Sequence, residues 1–511
     1  MVCLAKLYDM VLSARFQLWY KPKVEQAGAQ PGRGCEEQIL TIRLLIEIAR
    51  KCNKTLYIAF VDYKKAYDKV MRSKLVSMLH AKGCGTLFLK ALVASFNQSS
   101  GVIGNDSFKT SAGVRQGASS SCPLFTFFID ATVDAIAADG PDGWLEELHS
   151  LLLMDDTAVF ATSRKSMEKK LKRLKKCTDD IGMVMHPTKS RFIAINATDL
   201  RPFVLDEVSI SHTSEYVYLG TIISVKSIAE QVIAHLKMKT GNVMKFFTFL
   251  AKNTDAPFYV KHTVWDSAIV SSIFYSSETW LTSNLKAAET VYISTVKNLL
   301  GVRGTTLKEI ALLEAGVCDA KAYIRERQRR FFQKLMLRPD YDTSYIGRVV
   351  SMAIAHKTTA GCVIKSVMHK SSDISENSFR DLRSNVREKA TSRRIQYLRV
   401  NPNLSVSYAY ERQSRIPEHY RIAYTRIKLM SHRLRVETGR WSRLDYDQRT
   451  CSCGEVQTEE HVLMNCPQTL GLRNTCPPTM HFTSIDALLC LNSENAIDVC
   501  KYCFEVLRKM S

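Results

Sequence analysis

Three aspartates sit where a folded chain would ordinarily place apolar side chains. Asp62 closes the run YIAFVD, and Asp155 and Asp156 interrupt LLLMDDTAVF at 151–160. Aspartate is depleted from strands and costly to bury without a partner. Carboxylates gathered at strand ends repel one another, and each resists ionising without a counter-charge. A hard divalent cation resolves that conflict, and magnesium takes such oxygen ligands in octahedral geometry. Two ions held about 4 Å apart would activate an attacking oxygen and stabilise a leaving one. Carboxylates at exposed strand ends are the other reading that these positions alone allow. The chain supplies its own control: Asp179 and Asp180 in KKCTDDIGM end a charged helix, where solvation accounts for them.

A second cluster lies near the C-terminus. CSCGEVQTEEHVLMNCP (451–467) puts Cys451, Cys453, His461 and Cys466 within reach of one ion. Two thiolates near a glycine turn, followed by His and Cys about a helical turn apart, suit tetrahedral zinc. Free thiols in a surface segment are the alternative. Arg440, Arg443 and Arg449 lie close by and would attach electrostatically to phosphates.

The elements that must position the aspartates are legible. TLYIAFVDY (55–63) is a β-branched and aromatic run that predicts a buried strand, and LLLMDDTAVFAT (151–162) predicts strand, turn and strand. If the first lies beside the second, Asp62 and Asp155 face one site. KLVSMLHAKG (74–83) predicts a helix ending at Gly83, and 120–138 one long apolar helix. Residues 167–183 predict a basic amphipathic helix closing at Gly182, and EYVYLGTIIS (215–224) a strand pair around Gly220. This alternation implies an α+β fold, an antiparallel sheet backed by helices. Beyond about residue 226 the pattern turns helical. From about 370 to 445 arginine is frequent and apolar runs are short, so that stretch is either helices along a basic face or a loosely ordered linker.

The 511 residues imply roughly three domains. The balance of 71 Lys+Arg over 50 Asp+Glu, a formal +21, points to a polyanionic partner. No stretch approaches the run of about 20 apolar residues that spans a bilayer, and the N-terminus lacks a signal-peptide pattern. Nucleic acid is therefore the expected partner, with no membrane. The odd count of 15 cysteines over a long chain implies reduced thiols, hence an intracellular setting, cytoplasm or nucleus.

The segment between the acidic runs reads SAGVRQGASSSCPLF (111–125). Together FVDYKKAYDKV, GVRQGASSSCPLF and LMDDTAVF, in this order, resemble the palm motifs of the reverse transcriptases of non-LTR retrotransposons. GMVMHPTKSRF (182–192) resembles the lysine-bearing motif that follows, EYVYLGTII (215–223) the primer-grip hairpin, and EQAGAQPGRGCEEQIL (25–40) a fingers motif. The resemblance covers about residues 5–225 and weakens towards 340. It implies a right-hand polymerase palm with partial fingers, an α-helical thumb and a C-terminal zinc-knuckle region.

The expected segments are partial fingers at 1–54, palm with remaining fingers elements at 55–225, and helical thumb or connection at 226–340. A basic helical or linker region follows at 341–445, then the knuckle at 446–470 and a tail at 471–511. The implied activity is RNA-directed DNA synthesis with two magnesium ions and one zinc, taking RNA template, DNA primer or target and deoxynucleotide. Asp62 and Asp155 would hold both magnesium ions with Asp156 in support. Tyr67 would lie under the sugar and exclude a ribose 2′-OH. Gln116 and Gly117 would sit against the template–nucleotide pair. Arg33 would contact the triphosphate, Lys189 would assist pyrophosphate departure, and Gly220 would let the primer pass.

The chain departs from the family pattern at Leu153, where an aromatic is usual, at Ala29 and Gln30, and in the SSSCP run. The resemblance starts inside the fingers, so a first fingers strand and an upstream endonuclease are expected to be missing. A catalytically silent, retroelement-derived nucleic-acid-binding protein is the second reading, and a scaffold for a protein partner the third.

Overall fold

The computed structural model describes residues 3–97, 100–103, 106–110, 112–115, 117–369, 373–389, 391–480 and 482–510. The chain forms two compact units. The first comprises Met1–Gln231, Glu278–Ser283 and Phe331–His369; the second comprises Val232–Ser277, Asn284–Arg330 and Lys370–Ser511.

The first unit is α+β. Its elements are α1 (Cys3–Trp19), α2 (Cys35–Lys51), β1 (Leu56–Val61), α3 (Arg72–Ala81), α4 (Thr86–Asn97), β2 (Ser100–Ile103) and β3 (Asp106–Lys109). Then come α5 (Ser121–Ile129), α6 (Ala131–Ala137), β4 (Ser150–Leu153), β5 (Asp156–Ala161), α7 (Arg164–Asp180) and β6 (Arg191–Ile195). β7 (Phe203–Leu205), β8 (Val208–His212), β9 (Glu215–Tyr218) and β10 (Thr221–Ser224) follow. Six strands form the main sheet in the order β4–β5–β1–β6–β8–β7, and β9–β10 and β2–β3 are separate hairpins. Every pairing in the main sheet is antiparallel except β6 with β8.

β1 is buried at every position because both faces of the sheet are covered there. Tyr57, Ala59 and Val61 enter a core with Phe125 and Phe128 of α5 and Met167, Leu171 and Leu174 of α7. On the other face Phe60 stacks on Tyr216 of β9, with centroids 4.5 Å apart and planes at 9°. α2 is buried almost all round because it lies between β4, β6 and β10 on one side and the helices Tyr345–Ala355 and Thr359–Met368 on the other. Arg43, in its middle, is fully buried. It donates to Thr221 Oγ1 (3.1 Å), Ile222 O (3.3 Å), Gln231 Oε1 (3.2 Å) and Thr279 Oγ1, and burial pushes its guanidinium down to about 9.

One expectation needs correction. The apolar stretch 120–138 is two helices, α5 and α6, meeting at Asp130. The carboxylate of Asp130 accepts from Tyr20 Oη and from the Lys23 N–H (3.0 Å), which ties the junction to the segment after α1. The compact units have bounds of their own. Residues 341–369 pack with the first unit, since the helix Tyr345–Ala355 presents Ile346, Val349, Val350 and Ala353 to α2.

The arginine-rich stretch of the second unit is helical, over Ile374–Glu388, Ser392–Val400, Glu418–Lys428 and Arg435–Trp441. It has a core because some of its charges are neutralised internally. Arg421 is fully buried and holds Glu418 through two bonds of 2.8 and 2.7 Å, while Lys261 reaches the same carboxylate at 2.9 Å. Among the described residues no helix is long and apolar enough to cross a membrane.

α7 is pinned to β5 by a buried pair. Lys170 Nζ donates to Asp142 Oδ2 (2.6 Å) and to Phe160 O (2.7 Å). Burial pushes the Asp142 carboxyl up, but Lys170, Ser166 and Thr162 outweigh it and hold it below its ordinary range; burial pulls the Lys170 ammonium down. Lys170→Ala strands the Asp142 charge and is expected to cost about 3–5 kcal/mol in urea denaturation at pH 7. A depressed acid stabilises the fold above its unfolded value and loses that contribution as pH falls through its folded one. The gap between variant and parent should therefore be complete above about pH 4 and close below it.

Candidate active site and metal centre

β1 ends at Val61, opposite Thr157 of β5. One step further along the same register Asp62 comes beside Asp156, within cross-strand side-chain distance. Asp155 sits in the β4–β5 turn, with Leu153 paired to Asp156. The structure thus brings the carboxylates of Asp62, Asp155 and Asp156 to one end of the sheet. Their mutual repulsion is visible. Burial and the Asp62 charge raise the Asp155 carboxyl, and desolvation by the surrounding protein, then Asp155 and Asp62, push Asp156 up to about 6. Burial, then Asp62 and Asp156, push the Tyr216 hydroxyl up to about 12. None of the three carboxylates has an ion-pair partner among the described residues.

The backbone around them is held tightly. The Asp62 N–H donates to Ser190 Oγ (3.2 Å), and its carbonyl accepts from the His186 N–H (2.7 Å). That places Lys189, exposed, on the loop lining this end of β1. The turn itself hangs on a residue that sequence reasoning passed over. The side-chain oxygen of Gln26, fully buried, accepts from the N–H groups of Met154 (2.9 Å) and Gly28 (2.8 Å). Ala27 N–H donates to Leu152 O and Leu152 N–H to Glu25 O, each 2.8 Å, so this segment runs along β4. A Cβ on Gly28 would lie 2.7–2.8 Å from Met154 and Gln26 atoms, so no side chain fits there. Met154 takes φ +59°, a left-handed conformation that these bonds enforce. The signal was present in the stretch 25–40, but nothing local reveals which of its residues reaches the turn.

Tyr67 lies flat on Phe125, with centroids 4.2 Å apart and planes at 13°, and its hydroxyl is raised by burial first and by Cys122 and Asp155 in part. The loop after it is fastened by Gly113 N–H to Val70 O (2.8 Å), Val114 N–H to Tyr67 O (3.1 Å) and Arg72 Nε to Gly113 O (2.9 Å). Gly113 has φ +84°, and a Cβ there would meet Asp68 backbone at 3.1 Å. Gly117 is exposed with φ +79°, and Gln116 lies outside the described residues. Gly220, φ +74°, is the exposed turn of the β9–β10 hairpin. Arg33 is placed otherwise than an open triphosphate contact would require. Its guanidinium donates to Glu37 (2.7 Å) and to Val24 O (2.7 Å), and Glu37 also takes Arg338 (2.7 Å).

In the second unit the ligand atoms of Cys451, Cys453, His461 and Cys466 all lie within 4.8 Å of one another. The Sγ atoms of Cys451 and Cys466 are 3.8 Å apart, those of Cys466 and Cys453 4.0 Å, and Cys453 Sγ is 3.1 Å from His461 Nε2. Tetrahedral zinc with Zn–S of about 2.3 Å spaces its sulfurs about 3.8 Å apart, so this donor set could hold such an ion. The turn is closed by Cys451 N–H to Glu455 O (2.7 Å) and by Gly454 at φ +98°. The module is anchored by Tyr502 Oη to Leu463 O (2.6 Å), Gln457 Nε2 to Met510 O (3.1 Å) and His432 to Glu459 (2.8 Å).

Residues 1–223 match the reverse transcriptase (RNA-dependent DNA polymerase) family model. The chain is 25% identical over 213 residues to the Pol polyprotein of the type-1 retrotransposable element R2 of Nasonia vitripennis, covering 37% of this chain and 20% of that protein. It is 20% identical over 234 residues to the polyprotein of the type-2 element R2DM of Drosophila melanogaster, covering 42% and 22%. The chain thus spans about a fifth of the length of these relatives. Among solved structures it is similar to a telomerase from Candida tropicalis complexed with a telomeric RNA fragment, at 13% identity and TM-score 0.34, over 75% of this chain and 57% of that one.

Proposed function

Taking residues 1–223 as a reverse transcriptase domain of the non-LTR retrotransposon kind, we propose that this chain is an RNA-directed DNA polymerase. It extends a DNA primer 3′-OH with deoxynucleotides on an RNA template. The observation that carries this reading is the convergence of Asp62, Asp155 and Asp156 from two distant segments on one end of the sheet, uncompensated by any cation among the described residues. An oxygen-only, like-charged donor set suits magnesium, with Asp62 and Asp155 as shared ligands and Asp156 in support. Two magnesium ions bound there supply Lewis-acid stabilisation of the attacking and leaving oxygens.

The protein's own part is positioning. The primer 3′-oxygen attacks the α-phosphorus and pyrophosphate leaves. Tyr67, stiffened by Phe125, forms the floor under the deoxyribose and excludes a 2′-OH by bulk. Gln116 and Gly117 lie against the nascent pair, Lys189 meets the departing pyrophosphate, and Gly220 leaves room for the primer strand. Arg33 reaches the triphosphate only by giving up Glu37. Cys451, Cys453, His461 and Cys466 hold one zinc ion, in a knuckle that grips nucleic acid.

That engaged Arg33 is the observation favouring the second reading, a catalytically silent nucleic-acid-binding descendant. Primer extension on a primed RNA template, with magnesium and deoxynucleotides, separates the two. Magnesium-dependent, template-directed products support the polymerase; tight, salt-sensitive binding without products supports the silent form.

A further inference from the structure

We propose that the second unit carries a site of its own for a nucleic-acid strand, in the cleft walled by Arg303, Arg426, Arg433 and Lys252 with Phe504 and His419 at its side. This rests on the reading of the chain as a nucleic-acid protein but not on its catalysis, since the acidic cluster lies wholly in the first unit.

The cleft encloses about 780 Å³, and its lining contains no aspartate or glutamate. That volume is in the range of pockets that take a drug-sized ligand, enough to seat a nucleotide of a strand that passes along the cleft. The arginines are braced by neutral acceptors. Arg303 donates to His432 O (2.5 Å) and lies over the Trp441 ring at 3.9 Å, and Arg426 Nε donates to Gly301 O (2.9 Å). Such bonds fix a guanidinium in place without cancelling its charge. The one carboxylate acting on Arg303, Glu437, is already committed to Arg393 (2.8 Å) and Arg440 (3.1 Å). Arg433 and Lys252 are exposed and have no ion-pair partner among the described residues. Burial, then the Arg433 charge, pull the Arg303 guanidinium below its ordinary value, and burial does the same to Arg426 beside Arg421 and Arg433. Cations crowded together at a stability cost are a site for an anion that arrives from outside.

The aromatic wall narrows the class of anion. Phe504 meets the His419 ring edge-on, 5.1 Å between centroids at 75°, and both line the cleft. A basic groove beside aromatic faces is how a single strand is held without sequence reading, phosphates on the cations and a base on a ring. A bare phosphate or an acidic peptide has no use for the rings.

The test uses the full chain in an Asp155→Asn background, so its outcome is independent of polymerisation. Fluorescence anisotropy follows binding of a labelled 20-mer of uridines, and of its thymidine counterpart, across a salt series. Lys252→Glu/Arg433→Glu removes two cations that make no hydrogen bond among the described residues. It is expected to weaken binding at least about tenfold and to flatten the salt slope by about 1.4, two phosphate contacts on a single strand. Arg380→Glu/Arg383→Glu carries the same charge change in a groove that also holds Glu376 and Glu388, and should leave the slope alone. Loss for RNA alone, DNA alone or both names the strand taken. Equal losses in the two double variants, or none in the first, overturn the site. Should the first double variant fail to fold, Arg433→Ala reads the same slope with a drop of about 0.7.

Discussion

Asp155→Asn is expected to lower primer extension by at least about 10³-fold, or about 4 kcal/mol of barrier. The substitution preserves shape and removes one negative oxygen from the acidic end of the sheet. What holds the turn is backbone: Thr157 Oγ1 donates to Asp155 O (3.2 Å), and the Met154 N–H reaches Gln26 (2.9 Å). Neither bond involves the carboxylate that is lost, so the fold survives. Stability should even rise at neutral pH. Burial and the Asp62 charge raise the Asp155 carboxyl, and Asp155 in turn helps push Asp156 up, so deleting its charge relieves Asp156. An acid raised by folding contributes stability only while protonated and loses it as pH climbs through its folded value. The variant should therefore melt no lower than the parent at pH 7 while extension disappears. Extension kept within a few-fold of the parent would end the polymerase reading.

His461→Ala is expected to lose one equivalent of zinc and to open the C-terminal module. Beside His461, Cys466 Sγ lies 3.8 Å from Cys451 Sγ and 4.0 Å from Cys453 Sγ, crowding that a bound cation relieves. Binding energies of structural zinc in small modules run to about 10 kcal/mol or more, so losing the metal should loosen 451–466 even though Val462 and Leu463 stay packed in the unit. The consequences should extend along the anchoring bonds, Tyr502 to Leu463 and Gln457 to Met510. Metal content by mass spectrometry falls to the background of the chelated protein, and limited proteolysis cuts within 446–470. Zinc retained at one equivalent in the variant would remove His461 from the ligand set.

The strands bearing the acidic residues were legible because β1 and the β4–β5 hairpin are short, apolar and interrupted by aspartate, a pattern with few alternatives. The C-terminal Cys and His residues were legible because their spacing is local. What stayed hidden is held by long-range bonds. Gln26 looks like any polar loop residue until its side chain is seen under the turn. Asp130 looks like one more residue of a long helix, yet it is the junction between α5 and α6, with its carboxylate taken by Tyr20 and Lys23. Arg421 reads as surface charge, yet Glu418 and the Phe258 ring, 4.8 Å from its guanidinium, make it a core residue. The helix Tyr345–Ala355 has an obvious apolar face, but no local feature says that α2 is what covers it.

The Gln26 clamp also orders events in time. It joins residues 128 positions apart, whereas the β4–β5 hairpin closes over a handful. The hairpin can form early and alone; its turn cannot take the left-handed conformation at Met154 until the N-terminal arm has returned, at the loop-closure entropy of a long excursion. The acidic end of the sheet is therefore complete only after that closure, whatever the hairpin does before it. Ribosome-bound or partly refolded chains would possess the strands and still lack a competent centre.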